Sequence, residues 1–177
     1  VVLTLDIELQ KVAEESLARV LSNIETARGG AAVLMKVDTG EVLAAANYPT
    51  YSQMTFNQDA KLIQDNPLEP TRNRAFQMAY PPGSAFKPLI AVAGLEQGVI
   101  SPETKMYCNH FYDRFQSRRF TCLGLHKELD LTMAVKKSCN IYFYETGYML
   151  GGKAIEEWSH KFGFGQKTGI EVGEVAG

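Results

Sequence analysis

No apolar run in this sequence is long enough to cross a membrane as a helix. The longest, Leu89-Ile90-Ala91-Val92-Ala93-Gly94-Leu95, falls far short of the roughly 18 residues such a span needs and fits a buried turn of helix instead. Cationic excess is missing too. With 18 Lys and Arg against 20 Asp and Glu, a net charge of -2 and a pI near 6.0, nothing electrostatic points to nucleic acid or an anionic lipid surface as a partner. The tight basic pair Arg118-Arg119 is explained by a solvated loop. Internal repeats and low-complexity tracts are absent, so neither a repeat array nor a disordered linker is in view. The chain opens on Val1 with no basic-then-apolar leader and reads as a segment of a longer product whose targeting or anchoring part lies elsewhere.

What is present is ordinary globular composition, 45% apolar and 21% charged over 177 residues, enough for one domain with a sizeable core. Leu9, Val12, Ala13, Leu17, Val20, Leu21 and Ile24 recur at three- and four-residue intervals after Asp6, predicting a helix capped by that aspartate. Two short apolar runs, 31–37 and 41–46, flank Asp38-Thr39-Gly40 and predict a β-hairpin. Residues 47–83 show no sustained period and read as a long surface excursion ending at Pro81-Pro82-Gly83. Residues 84–96 predict a helix buried on most sides. Residues 101–128 have no clear period. A short helix starting at Asp130 or Thr132 leads into Ser138, helical patterns follow over 141–150 and 153–162, and a glycine-punctuated tail closes the chain. The order helix, hairpin, loop, helices gives an α+β class, with the hairpin part of a sheet whose other strands lie outside the chain.

Serine is a poor nucleophile near neutral pH, so acyl-transfer chemistry needs a base within hydrogen-bond reach of it. Ser84 and Lys87, three residues apart at the expected helix start, project from one face. The helix N-terminus and a setting of Phe86, Leu89 and Ile90 would favour a neutral amine able to take the Ser84 proton. This is the only S-x-x-K in the chain, and Ser138-Cys139-Asn140 further on is the only S-x-N.

Pro82-Gly83-Ser84-Ala85-Phe86-Lys87-Pro88 and Ser138-Cys139-Asn140-Ile141-Tyr142-Phe143, in this order, resemble the first two motifs of the transpeptidase domain of class B penicillin-binding proteins. Leu3-Thr4-Leu5-Asp6, the hairpin and Asn73-Arg74-Ala75 resemble that family as well. Through Ser138-Cys139-Asn140-Ile141-Tyr142-Phe143-Tyr144 the likeness leans to the penicillin-binding protein 2, cell-elongation type. The resemblance implies a penicillin-binding protein and serine β-lactamase-like fold, an antiparallel sheet flanked by helices, of which residues 1–177 form the first part of a single incomplete domain. It implies a peptidoglycan D,D-transpeptidase in which Ser84 is acylated by the penultimate D-Ala of a stem peptide, or by a β-lactam. Lys87 is then the base, Ser138 a proton relay toward the leaving group, and Asn140 the residue that keeps Lys87 and the substrate amide in register. The Ser84 backbone N–H would be half of an oxyanion hole. A serine β-lactamase and a non-catalytic β-lactam sensor are the competing functions. Partners implied are D-Ala-D-Ala stem peptides, β-lactams and, through the parent protein, the cell-wall synthesis machinery. The location implied is the periplasmic, extracytoplasmic face of the bacterial cytoplasmic membrane, through an anchor outside this chain.

Lys167-Thr168-Gly169 spells the family's third motif. It sits too close behind Asn140, in a glycine-rich stretch unlike a strand, and resembles a structural F-G-x-G-x-x-T-G-I segment. The true third motif is therefore expected outside the chain, leaving this segment an impaired enzyme. The chemistry itself calls for no cofactor. Cys108, Cys122, His126 and Cys139 follow a C-x13-C-x3-H-x12-C spacing that can supply a structural Zn2+ site. A Cys108–Cys122 disulfide and plain buried thiols stand beside that reading.

Overall fold

The computed structural model describes residues 2–115 and 118–177, so Val1 lies outside it. Its chain divides into two compact units, Val1–Ala79 with Gly169–Val175, and Tyr80–Thr168 with Ala176–Gly177.

In the first unit, Asp6 starts α1 (Ile7–Leu21) as expected, its carboxylate accepting from the N–H groups of Glu8 and Leu9, which satisfies two of the helix's orphan donors. Part of the predicted stripe makes the contact: Ala13, Leu17 and Leu21 are half-buried, Leu17 and Leu21 lying against Gly30 of the hairpin. Val12 and Val20 are 60% and 55% exposed, and a polar residue adds to the seat. Gln10 Oε1 accepts from Ala45 N–H at 2.7 Å, and its Nε2 donates to Ala45 O at 3.2 Å, bonding a β-strand edge as another strand would. The hairpin pairs β1 (Gly30–Met35) with β2 (Val42–Tyr48) antiparallel, Gly30 opposite Tyr48, with an irregularity at Leu34/Met35. Gly40, at φ +76°, supplies the left-handed turn residue.

The excursion over 47–83 is not structureless. It holds α2 (Phe56–Gln64), which has no side-chain cap bond. Arg74 is buried in this unit with its guanidinium on the Glu69 and Leu68 carbonyls. A Cβ at Gly29 would come within 2.5 Å of Arg74 Nε, so the glycine makes room for the buried charge.

The second unit is built on two helices. A single 3-10 turn (Gly83–Phe86) runs into α3 (Lys87–Glu96), which buries Leu89, Ile90, Ala91, Ala93 and Gly94. The long α5 (Asn140–Lys161) is kinked at Gly151, φ +74°, matching the two helical patterns seen on either side of that glycine. A Cβ at Gly94 would sit 2.8 Å from Thr146 Cγ2, so Gly94 sets the close approach of α3 to α5. Residues 101–128, aperiodic in sequence, carry two small antiparallel ribbons. β3 (Met106–Cys108) pairs with β6 (Lys127–Leu129), and β4 (Phe111–Tyr112) with β5 (Phe120–Thr121). Asp130 caps α4 (Leu131–Lys136) by accepting from Met133 N–H at 2.8 Å. Ile100, Leu129, Leu131, Ile141, Tyr142 and Phe143 join the α3 residues in one core. No helix of the described residues is long and apolar enough to cross a membrane.

Candidate active site

Ser84 lies in the 3-10 turn rather than at the start of an α-helix, because α3 begins only at Lys87. Three residues per turn bring side chains three apart into register, so Ser84 and Lys87 point the same way, Lys87 Nζ to Ser84 Oγ being 3.2 Å. This turn geometry takes the place of the helix-terminus argument made from sequence.

Ser138 and Asn140 reach the same amine from the junction between α4 and α5. α4 ends with Cys139 N–H donating to Ala134 O and Ser138 N–H to Val135 O, the paired bonds of a Schellman end. Ser138 occupies the left-handed position there at φ +50°, where glycine is usual and another residue costs about 1 kcal/mol. Its carbonyl and its hydroxyl both lie on Lys87 Nζ, at 2.6 and 2.9 Å. Cys139 then caps α5 in extended conformation and is fully buried. Asn140 opens the helix with Oδ1 2.6 Å from Lys87 Nζ. Its Nδ2 donates to Thr121 O at 3.0 Å, so the amide cannot flip without losing both bonds.

The proton inventory assigns roles. The Ser138 carbonyl and Asn140 Oδ1 can only accept, so they take two Lys87 hydrogens. The remaining position on Nζ faces two hydroxyls, Ser84 and Ser138. In the neutral amine that position is a lone pair facing those two hydroxyls. Burial lowers the Lys87 pKa from 10.5, against the opposing pull of Cys122 and Cys139.

Cys108, Cys122, His126 and Cys139 come together behind this junction, their ligand atoms all within 4.8 Å of one another. His126 Nδ1 lies 3.7 Å from Cys108 Sγ and 3.6 Å from Cys122 Sγ, and the Cys122 and Cys139 sulfurs are 4.0 Å apart. Tetrahedral zinc with its usual bond lengths separates sulfur from nitrogen by about 3.6 Å and sulfur from sulfur by about 3.8 Å, so donor set and spacing fit that ion. All three cysteines are free. The Cys108–Cys122 disulfide considered from sequence is therefore not formed, and the thiols are gathered rather than dispersed. Burial opposes ionisation of Cys122, yet backbone N–H groups of Gly124, Asn140 and Ile141 bring its pKa below the ordinary thiol value. Burial, reinforced by Cys108, pushes Cys139 up to about 12.

Lys167-Thr168-Gly169 lies in a non-strand segment with Gly169 at φ +84°. Sequence reasoning missed Thr121 and Cys122 as supports of Asn140, the latter through Asn140 N–H donating to Cys122 Sγ at 3.3 Å.

One lysine amine thus lies within hydrogen-bond reach of two serine hydroxyls and an asparagine oxygen. Residues 30–177 match the penicillin binding protein transpeptidase domain, and the chain belongs to that family. It is 34% identical to the peptidoglycan D,D-transpeptidase MrdA of Acinetobacter baumannii over 96% of this chain and 25% of the relative. Against MrdA of Escherichia coli K12 it is 33% identical over 97% of this chain and 27% of the relative. The chain thus spans about a quarter of the length of these curated relatives. Among solved structures, Pseudomonas aeruginosa PBP2 in complex with WCK 5153 superposes with a TM-score of 0.83 at 31% identity, over 100% of this chain and 40% of that one. Helicobacter pylori PBP2 gives 0.83 at 28% identity, over 98% and 33%. The α+β class expected from sequence is that of these structures.

Proposed function

We propose that this chain carries the acylation machinery of a peptidoglycan D,D-transpeptidase, within one transpeptidase domain of which residues 1–177 are a part. The observation that carries the reading is the single amine of Lys87 held within hydrogen-bond reach of Ser84 Oγ, Ser138 Oγ and Asn140 Oδ1 together. The MrdA relatives, themselves named D,D-transpeptidases, support it.

Neutral Lys87 takes the proton of Ser84 as Oγ attacks the carbonyl carbon of the penultimate D-Ala. The peptide C–N bond breaks, an ester forms on Ser84, and the departing D-Ala nitrogen receives its proton from Lys87 by way of the Ser138 hydroxyl. An amine from a second strand then attacks the ester, loses its proton along the same path, and leaves a peptide cross-link with Ser84 regenerated. Asn140 keeps Lys87 from rotating out of this line. A β-lactam carbonyl would acylate the same serine. Lys167 takes no part. The parent protein works at the extracytoplasmic face of the cytoplasmic membrane with the cell-wall synthesis machinery.

The four-residue cluster holds a structural zinc through Cys108, Cys122, His126 and Cys139. A zinc with four protein ligands has no open position, so it supplies rigidity to the Ser138–Asn140 junction and no reaction step.

Intact mass after incubation with a penicillin tests the reading. A drug-sized adduct on this chain, absent in Ser84→Ala, is expected. An adduct of equal size on both would sink the assignment of Ser84.

A further inference from the structure

Glu145 lies on α5, about one and a half turns beyond Asn140, and takes no part in the proposed proton path. Its side chain is 24% exposed, and both carboxylate oxygens are committed. Oε2 accepts from Tyr112 OH at 2.7 Å and from Arg114 Nε at 3.1 Å, while Oε1 accepts from Arg114 Nη2. A carboxylate gripped by a guanidinium fork and a phenol acts as an anchor rather than a base.

What it anchors is weak by itself. β4 and β5 pair only Phe111 with Thr121 and Tyr112 with Phe120, and so short a ribbon does not hold its place unaided. Its seat on α5 is made by side chains. The rings of Tyr112 and Phe120 pack on Tyr144 with centroids 5.7 and 5.5 Å apart, and Arg114 lies over the Tyr148 ring at 4.2 Å. Packed rings can slide, whereas a two-pronged ion pair and a phenol bond fix one geometry. Tyr112 is buried, so without Glu145 its hydroxyl is left short of a partner. Burial, and then the bond to Glu145, push the Tyr112 pKa up to about 12, which keeps the donated proton on the phenol at neutral pH.

The ribbon carries one peptide group to the active site. The Thr121–Cys122 peptide donates its N–H to His110 O at 2.8 Å, and its carbonyl accepts from Asn140 Nδ2 at 3.0 Å. His110 leads directly into β4. Because the peptide unit is planar, the seat of β4 sets the direction in which the Thr121 carbonyl points. Asn140 passes that constraint on, with Oδ1 2.6 Å from Lys87 Nζ. The path leaves α5 at Glu145, crosses β4 and the Thr121–Cys122 peptide, and returns to α5 at Asn140, about 7.5 Å back along the axis. The kink at Gly151 lies beyond this stretch, so the helix holds the two ends at a fixed separation.

We propose that Glu145 is a positioning residue for acylation, clamping Tyr112 and Arg114 to α5 so that the Thr121 carbonyl stays on Asn140 and fixes the amide that orients Lys87. The proposal rests on the transpeptidase reading, in which Lys87 takes the Ser84 proton. When the clamp slackens, the Asn140 amide loses its second tie and turns, and fewer chains hold Lys87 in line with Ser84.

Two readouts on Glu145→Ala test this, and one of them needs no reaction. Exchange of the Asn140 side-chain amide protons with water, followed by NMR and assigned by their disappearance in Asn140→Asp, should quicken about tenfold or more. Acylation of Ser84 by a fluorescent penicillin should slow about tenfold. In the Asn140→Asp background, which has no amide to donate to Thr121, the same change should alter acylation by less than about twofold. A merely structural role would slow both backgrounds alike. Thermal unfolding checks that each variant is folded, and Glu145→Gln, which keeps an acceptor for Tyr112 OH but not the pair of oxygens that Arg114 grips, replaces the alanine variant if that one does not fold. Unchanged amide exchange, unslowed acylation, or equal slowing in the two backgrounds would each overturn the role of Glu145. If the unmodified chain takes up no penicillin, the assignment of Ser84 fails, and amide exchange still decides the clamp.

Discussion

Asn140 Oδ1 and Lys87 Nζ are 2.6 Å apart, with the other end of the same amide tied to Thr121 O. The asparagine therefore presents a neutral acceptor to the lysine and nothing else. Asn140→Asp keeps the shape and adds a negative charge, which favours the ammonium form of Lys87. Acylation of Ser84 by a fluorescent penicillin at neutral pH is expected to slow about ten- to a hundredfold, with the pH–rate profile moving to higher pH. A slower rate on an unmoved profile would show that Asn140 acts on the substrate alone and not on Lys87.

Burial is the larger cause of the lowered Lys87 pKa, and the sign of its pH effects follows. With the neutral amine as the proposed base, acylation is expected to rise with pH through a midpoint below 10.5. Between that lowered value and 10.5 the folded chain binds fewer protons at Lys87 than the unfolded chain does. Stability therefore rises with pH across the window, and below it the cost of a buried ammonium is present in full. Urea midpoints of the unmodified chain and of Lys87→Met, followed from neutral pH up to 10.5, isolate the part that belongs to the lysine. The unmodified chain should gain more than the variant. An equal gain would mean that Lys87 is not held neutral by its surroundings.

The two motifs were legible because their chemistry is local, Ser84 with Lys87 across one turn and Ser138 with Asn140 across one residue. Cys139, between two residues that bond Lys87, is fully buried, as alternation of side chains across one residue requires. Legibility failed where an element was too short to show a period. β4 and β5 have two residues each, and α2 has only Phe56, Ala60 and Ile63 to mark its face. It failed again where a polar group did the work of an apolar one. Gln10 bonds the Ala45 backbone while Val12 and Val20 stay in water, so the hydrophobic stripe, through Leu17 and Leu21, reveals only part of how α1 is seated. The cysteine spacing left zinc, disulfide and free thiols open because the ligands come from separate parts of the chain, and only folding brings them together.

Ser138 carries a conformational cost for its chemistry. At φ +50° a glycine is free of the Cβ penalty, and Ser138→Gly should be more stable than Ser138→Ala by about 1 kcal/mol, or roughly 2–4 °C in Tm. Both variants lose the hydroxyl that bridges to Lys87 and should be acylated about ten- to a hundredfold more slowly. Equal melting temperatures for the two would show that the left-handed conformation is not under strain. Acylation at the unmodified rate in both would remove Ser138 from the proton path.

The Cys108, Cys122, His126 and Cys139 cluster predicts a metal dependence that reaches the active site through one bond. Cys122 Sγ accepts from Asn140 N–H at 3.3 Å, so loosening the sulfur loosens the residue that orients Lys87. Chain purified without chelator should carry about one zinc, and its thiols should react with Ellman's reagent only after the metal is stripped. Removing the metal with a strong chelator, or replacing Cys108 with Ser, should lower Tm by at least about 5 °C. Acylation of Ser84 should slow in parallel, although none of the four ligands touches the substrate in the proposed mechanism. Restoring zinc should restore both. A chain that holds no metal and shows a mass two hydrogens lighter than its reduced form would instead establish a disulfide and overturn the zinc site.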